Sequence, residues 1–323
     1  MEIQKADAAS GARVAAGQDL SVRVPATSAN LGPGFDSLGL AVTLYDTVRV
    51  RTTDSDGIRV RVAGEGAAVL PTDETHLVAR TIVDTIRRAG YAAGGFELEC
   101  ENVIPHGRGL GSSASAIVSG VLAGNALLPP SARLDAAGLL HACSALEGHP
   151  DNVAPALAGA LAVSWEQEGI FRSVRAEVHP DIIPVAAVPA TELSTESARG
   201  LLPAMVPHRD AAANSGRAAL LMQALTADPS LLSEGTEDFL HQGYRAPAMA
   251  PSAQLITALR AAGFAAVVSG AGPTVMTLAA GAEQADAAEA FLAAHLSGEN
   301  SGNWRVLRLG VDRDGARVVL HHR

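Results

Sequence analysis

The run SSASAIVSGVLAGNALL, residues 112–128, is apolar nearly all round, with Ser, Ala and Gly interleaved, and it follows three alternating glycines, Gly107, Gly109 and Gly111. A helix without a polar face has to be buried centrally, and small side chains let its neighbours come close. Pro129 and Pro130 stop it. The fold is therefore built around this segment. At 323 residues the chain exceeds the size at which one core stops growing, so one large or two fused domains are expected.

Alternation of apolar and polar residues predicts strands at 20–24, 44–52, 58–62 and 96–103, with a helix over 75–89 that ends at Gly90. Asp135 is placed to cap a helix running to Glu147, and strands are expected at 159–165, 170–176 and 182–188. Beyond them the pattern predicts helices at 195–202, 209–226, 230–241 and 252–262, then strand, strand, helix and strand over 264–269, 274–279, 283–296 and 304–311. The class is α+β, with domains expected over 19–165 and 166–323. Residues 1–18 lack periodicity and are expected to form a mobile extension.

Composition removes several functions. The chain is 48% hydrophobic, 18% charged and 3% aromatic, too apolar for disorder. Its net charge is −10 without a basic block, so neither nucleic acid nor an anionic membrane surface is expected as a partner. Lys5 is the only lysine, which leaves no lysine for a Walker A loop, a protein-kinase strand or a pyridoxal Schiff base in the folded body. Cys100 and Cys143 make no metal spacing and no disulfide framework, which fits a reducing, cytoplasmic setting. The opening MEIQKADAAS has no apolar core of a secretory signal, and the uncharged stretches 109–132 and 261–282 are too interrupted by Ser, Gly and Pro to span a membrane.

Four segments carry polar chemistry. In Pro105-His106-Gly107-Arg108-Gly109-Leu110-Gly111-Ser112-Ser113-Ala114-Ser115 the glycines let the backbone curl, and the helix behind them offers unpaired N–H groups and a positive dipole end, a cradle for phosphate that needs no lysine. A serine-capped turn would leave the same letters. Gly109, Gly111 and Ala114 also match a dinucleotide fingerprint, against which count the strands and helix that precede them. PATSANLGPGFDSLG, residues 25–39, offers the amide of Asn30 and the carboxylate of Asp36 to a small polar, amine-bearing ligand, or merely connects two strands. In LEGHPDNVAP, residues 146–155, Glu147 and Asp151 lie four apart at a helix end with His149 and Asn152 nearby, suited to holding Mg²⁺ and orienting a hydroxyl, or to a helix stop. VSGAGPT, residues 268–274, alone reads as a hairpin turn.

In this order, the four segments resemble the GHMP small-molecule kinases, and PATSANLGPGFDSLG is most similar to the first motif of the homoserine kinases within that superfamily. The resemblance implies a two-domain fold with a ribosomal-protein-S5-like amino-terminal domain, and ATP-dependent, Mg²⁺-assisted phosphorylation of the side-chain hydroxyl of L-homoserine in threonine biosynthesis. It implies that Pro105 to Ser115 cradle ATP, that Ser113 and Glu147 hold Mg²⁺, and that Asp151 is a general base or orients the hydroxyl. It further implies that Asn30, Asp36, His149, Asp151 and Asn152 line the homoserine pocket, with Arg199 and Arg245 on the substrate carboxylate, in a homodimer. His76 stands where relatives often carry Asn on the adenine side, the Glu147 to Asp151 spacing is shorter than usual, and Ser115 replaces a common Ala. The alternatives are a sibling kinase for another alcohol, or a non-catalytic relative that senses nucleotide or amino acid.

Overall fold

A computed structural model describes residues 12–297 and 304–321. Its first sheet is built from β1 (Asp19–Ala29), β2 (Leu38–Thr53), β3 (Ile58–Gly64) and, after helix α1 (Leu77–Arg88), β4 (Gly95–Asn102). β2 shows why: Val48 and Val50 point to the core while Arg49 and Arg51 point out, where they pair across strands with Asp19 and Glu99. β1 and β2 run antiparallel with a register shift at Pro25/Ala26, where proline has no N–H to lose. Residues 26–29, expected in a connecting loop, thus extend the strand into the region of the site.

Helix α2 (Ser112–Leu127) lies on this sheet, beside α1. Its small residues have a steric cause. A Cβ on Gly120 would come within 2.6 Å of Thr81 Cβ, and one on Gly124 within 2.9 Å of Thr85 Cβ. Helix α3 (Ala136–Glu147) starts where Asp135 accepts from Gly138 N at 2.8 Å and ends at Gly148 in the left-handed region, as its letters predict. A short α4 (Val153–Ala158) follows, then the hairpin β5 (Leu161–Gln167) and β6 (Ile170–Ala176).

The second sheet combines β7 (Ile182–Pro189), β8 (Ala265–Val268), β9 (Val275–Ala280) and β10 (Trp304–Arg308) in the order β10-β7-β9-β8. Between β7 and β8 come α5 (Thr195–Gly200), α6 (His208–Thr226), α7 (Leu232–Gly235), α8 (Gln242–Arg245) and α9 (Ala250–Ala261); α10 (Ala282–His295) follows β9, and β11 (Arg317–Leu320) closes the described chain. Alternation on β7 sends Val185 and Ala187 toward α9 and α10, and Ala186 and Val188 toward α6 and the outer face of β2. Two layers thus share one middle core.

Three expectations change. The helix over 230–241 is only α7 followed by turns, because Asp238 caps a fresh start by accepting from His241 N and Gln242 N. A division at 165 would cut the β5–β6 hairpin, which joins the first sheet through β2, and β11 returns to pair with β1. The first sheet therefore holds the chain to Ala176 and again over 317–320. Of the expected mobile extension, residues 1–11 with Lys5 lie outside the described residues, but 12–18 are held: Val14 is buried and donates to Ala92 O at 3.0 Å, and Gly17 N reaches Thr52 O at 3.0 Å.

Candidate active site

A cavity of about 130 Å³ opens where the amino end of α2, the β1–β2 connection, the α3–α4 turn and the 269–273 turn converge. Gly107, Gly109 and Gly111 have φ of 64°, 75° and 73°, so the backbone curls as their alternation predicts. The curl is pressed from behind: a Cβ on Gly109 would lie 2.1 Å from Ser269 O, and one on Gly111 2.1 Å from Thr27 Oγ1. Gly111 is itself the N-cap of α2, and no side chain caps that end. The alternative of a serine-capped turn is thus not realised, and the first N–H groups of a 16-residue helix face the site unspent.

Side chains of this segment divide. Ser112 and Ser113 line the cavity with Gly107, Gly109 and Gly111. Leu110 and Ala114 are buried in the two cores, and Ser115 Oγ donates to Asp46 Oδ2 at 3.2 Å. Arg108 points away, toward the carbonyls of Pro189 and Ala190. These four reach a ligand through the backbone at most. Pro105 is buried, and His106 lines a second, adjoining cavity of about 150 Å³, which shares Ser112 and Ser113 and is lined by Asp46, His76, Leu77 and Ser119. Burial, reinforced by the charge of His106, holds His76 below the ordinary histidine range. Its Nδ1 and Ser119 Oγ are buried without a hydrogen-bond partner among the described residues.

Ser113 Oγ donates to Glu147 Oε2 at 2.8 Å. Burial raises the Glu147 carboxyl above its usual range, partly offset by that hydrogen bond and by His149. A hydroxyl and a half-buried carboxylate are hard oxygen donors of the kind that would suit a divalent cation. Among the described residues no group of three or more His, Cys, Asp or Glu is arranged to hold a metal alone.

Opposite the glycine curl lie the amino-acid-like groups. Asn30 and Asp36 adopt φ of 68° and 54°, strained for residues with a side chain, and the strain is held by contacts: Asn30 Nδ2 donates to Gly270 O at 2.8 Å and its Oδ1 accepts from Asp36 N at 3.0 Å. Arg199 grips Asp36 fork to fork at 3.0 and 2.7 Å. Arg245 is 1% exposed and makes no ion pair among the described residues; it donates to Ala198 O at 3.3 Å and lies over the Phe35 ring. An arginine buried without a carboxylate leaves positive charge for an anionic ligand to answer. Asp151 Oδ1 accepts from Asn152 N at 2.9 Å and meets His149 Nδ1 at 2.6 Å, while Asn152 Oδ1 accepts from Thr27 Oγ1 at 2.8 Å. Burial pulls His149 down, but its bond to Asp151 and the nearby carboxylates win and raise it above the usual histidine value.

Sequence reasoning missed the group behind Arg245. His241, fully buried, presents Nε2 to Gly32 O at 2.8 Å and Nδ1 to Arg245 Nη1 at 3.2 Å. A carbonyl requires N–H and a guanidinium requires a lone pair, so these partners assign the neutral Nε2–H tautomer. The only signal was the i, i+4 spacing in HQGYR. Ser194 and Thr195 also line the cavity, in the STESARG stretch that holds Arg199.

The chain matches the family models described as GHMP kinases N terminal domain over residues 76–160 and GHMP kinases C terminal over residues 211–298. It is 53% identical over 299 residues to the homoserine kinase of Streptomyces coelicolor, covering 92% of this chain and 94% of that one. Over 302 residues it is 49% identical to the homoserine kinase of Leifsonia xyli, covering 94% and 92%. The crystal structure of homoserine kinase from Cytophaga hutchinsonii superposes with a TM-score of 0.80 at 29% identity, covering 93% of this chain and 97% of that one.

Proposed function

The chain belongs to the GHMP kinases, among the homoserine kinases of that family, and from that premise we propose that it transfers the γ-phosphoryl group of ATP to the side-chain hydroxyl of L-homoserine, giving O-phospho-L-homoserine. The observation that carries this reading is the meeting, in one cavity, of an uncapped helix amino end and a complementary Asp36–Arg199 pair backed by Arg245, which makes no ion pair among the described residues. One end suits a phosphate tail. The other suits a zwitterion, whose ammonium takes Asp36 and whose carboxylate takes the two arginines.

In this reading the triphosphate runs along the backbone N–H groups of 107–113, and the base enters the adjoining cavity beside His76. Ser113 and Glu147 would hold Mg²⁺, which would supply charge neutralisation on the phosphate oxygens. Phosphoryl transfer asks the protein chiefly for alignment and electrostatic stabilisation. The helix end orients the donor; Asn30, Asp36 and Arg199 fix the acceptor. Asp151 then directs the hydroxyl toward the phosphorus. Its Oδ1 is already engaged by Asn152 N and by His149, whose raised affinity for a proton pairs it with the carboxylate. With that oxygen taken up, Asp151 serves to orient the hydroxyl, the proton leaving on the phosphoryl group. The family also implies a cytoplasmic homodimer, for which sedimentation equilibrium is the test of assembly.

A coupled ADP-release assay with L-homoserine, mevalonate, galactose and L-threonine, with and without Mg²⁺, tests the reading. Turnover is expected on L-homoserine and only with Mg²⁺. Preference for another alcohol makes the chain a sibling kinase, and ATP binding without turnover makes it a sensor; either overturns the proposal.

A further inference from the structure

We infer that Arg108, although it sits in the glycine curl, is a positioning residue for the amino-acid side of the reaction: it acts on segment 189–193 and not on the nucleotide. Its guanidinium spends its donors there, Nε on Pro189 O at 3.0 Å, Nη2 on Ala190 O at 2.7 Å and Nη1 on Glu192 Oε1 at 3.2 Å, with Nη1 also on His106 O. A fourth bond joins the same two segments through the backbone, Leu193 N to Gly107 O at 2.9 Å. Four of the five guanidinium donors are therefore spent on protein oxygens, and the side chain does not line the cavity of the glycine curl.

What the clamp holds is the entry to α5. Ser194 caps that helix by accepting from Ser197 N at 3.1 Å, and Arg199 lies in its last turn. α5 has six residues, of which only Ala198 is buried, and a helix so short has no stability of its own. Three anchors set its position: Arg199 on Asp36 at its end, the bond that Arg245 donates to Ala198 O, and the Arg108 clamp ahead of Ser194. A site held by so few contacts belongs to the low-stability part of a structure, where one anchor decides local order.

The kinetic arm of the test rests on the kinase reading; the exchange arm does not. R108M keeps the stem and removes the donors, and R108K keeps the charge but loses the fork. In R108M the KM for L-homoserine is expected to rise about tenfold or more while the KM for ATP stays within about threefold, with R108K between. Amide hydrogen exchange over 193–199 should speed up by about tenfold or more in ligand-free protein, while that over 265–268 stays as in the parent. A rise in the KM for ATP in place of that for homoserine, or unchanged exchange over 193–199, overturns the inference. Should R108M fail to fold, the same two readouts on R108K decide it. Failure of the parent protein to turn over homoserine faults the function reading instead, because the exchange result stands without any substrate.

Discussion

Ser113 Oγ in the first turn of α2 donates to Glu147 Oε2 in the last turn of α3 across 2.8 Å, so the two helices that flank the site meet through a hydroxyl and a half-buried carboxylate. The carboxylate pays for its burial with a raised proton affinity. A group kept there at such a cost to stability points to a ligand that repays it. E147Q is expected to lower kcat/KM by about a hundredfold, on the order of 3 kcal/mol, and to raise the Mg²⁺ concentration needed for half-maximal rate. Initial rates across a Mg²⁺ series check this; a variant with parental Mg²⁺ dependence removes Glu147 from the metal site.

Arg199 and Asp36 pair through two parallel bonds before any substrate is present. Both are about 38% exposed, so the pair itself contributes little to stability. Its value lies in geometry. R199K keeps the charge but not the fork, and the KM for L-homoserine is expected to rise about tenfold or more, with the KM for ATP little changed. Melting temperature should move by no more than about 1–2 °C. Equal effects on both KM values would mean that Arg199 does not discriminate the two ligands.

If Asp151 only orients the hydroxyl, an amide in its place keeps much of the function. D151N is expected to hold kcat within about tenfold of the parent, since a general base contributes on the order of a hundredfold or more. A larger fall in kcat at saturating L-homoserine restores the base.

Burial pushes both thiols, Cys100 and Cys143, up to about 12, with Asp46 and Glu147 respectively adding to the effect. The thiolate is the reactive form. At pH 8 native protein should therefore release almost no thionitrobenzoate from a disulfide reagent over minutes, and two equivalents once denatured. Fast labelling of the native protein would contradict the described burial.

What the letters revealed and what they hid divides by sequence distance. The glycine curl, α2 and the Asp135 cap were legible because each is dictated by neighbours within a few residues. The side-chain direction of Arg108 was not, since the carbonyls that capture it lie 81 and 82 residues away. The Thr27–Asn152 and Asn30–Gly270 bonds, 125 and 240 residues apart, were hidden for the same reason. β11 escaped notice because all four of its residues are exposed, leaving no alternation to detect. Local backbone shape was thus readable, and the long-range partners of the side chains were not.

His241 ties these distant parts together and gives the protein a titration of definite sign. Burial holds its imidazole below the ordinary histidine range; Arg245 adds to that, while Asp238, Asp36 and the bond to Gly32 O pull the other way. Asp238 Oδ1 lies 3.6 Å from Nε2, and both side chains are fully buried. The unfolded chain binds a proton at about pH 6.5, whereas the native imidazole can do so only by giving up the bond that Arg245 donates to Nδ1. Because the native affinity is the lower one, stability is present above about pH 6.5 and is lost as the pH falls below it, with a slope approaching one proton, about 1.4 kcal/mol per pH unit. Urea denaturation between pH 7.5 and 5 is expected to show H241Q losing less stability on acidification than the parent, by up to one proton of slope. At pH 7.5 the same variant should raise the KM for L-homoserine more than that for ATP, because Arg245 has lost the acceptor that aims it. A parent and variant with parallel pH profiles would place the acid-sensitive group elsewhere.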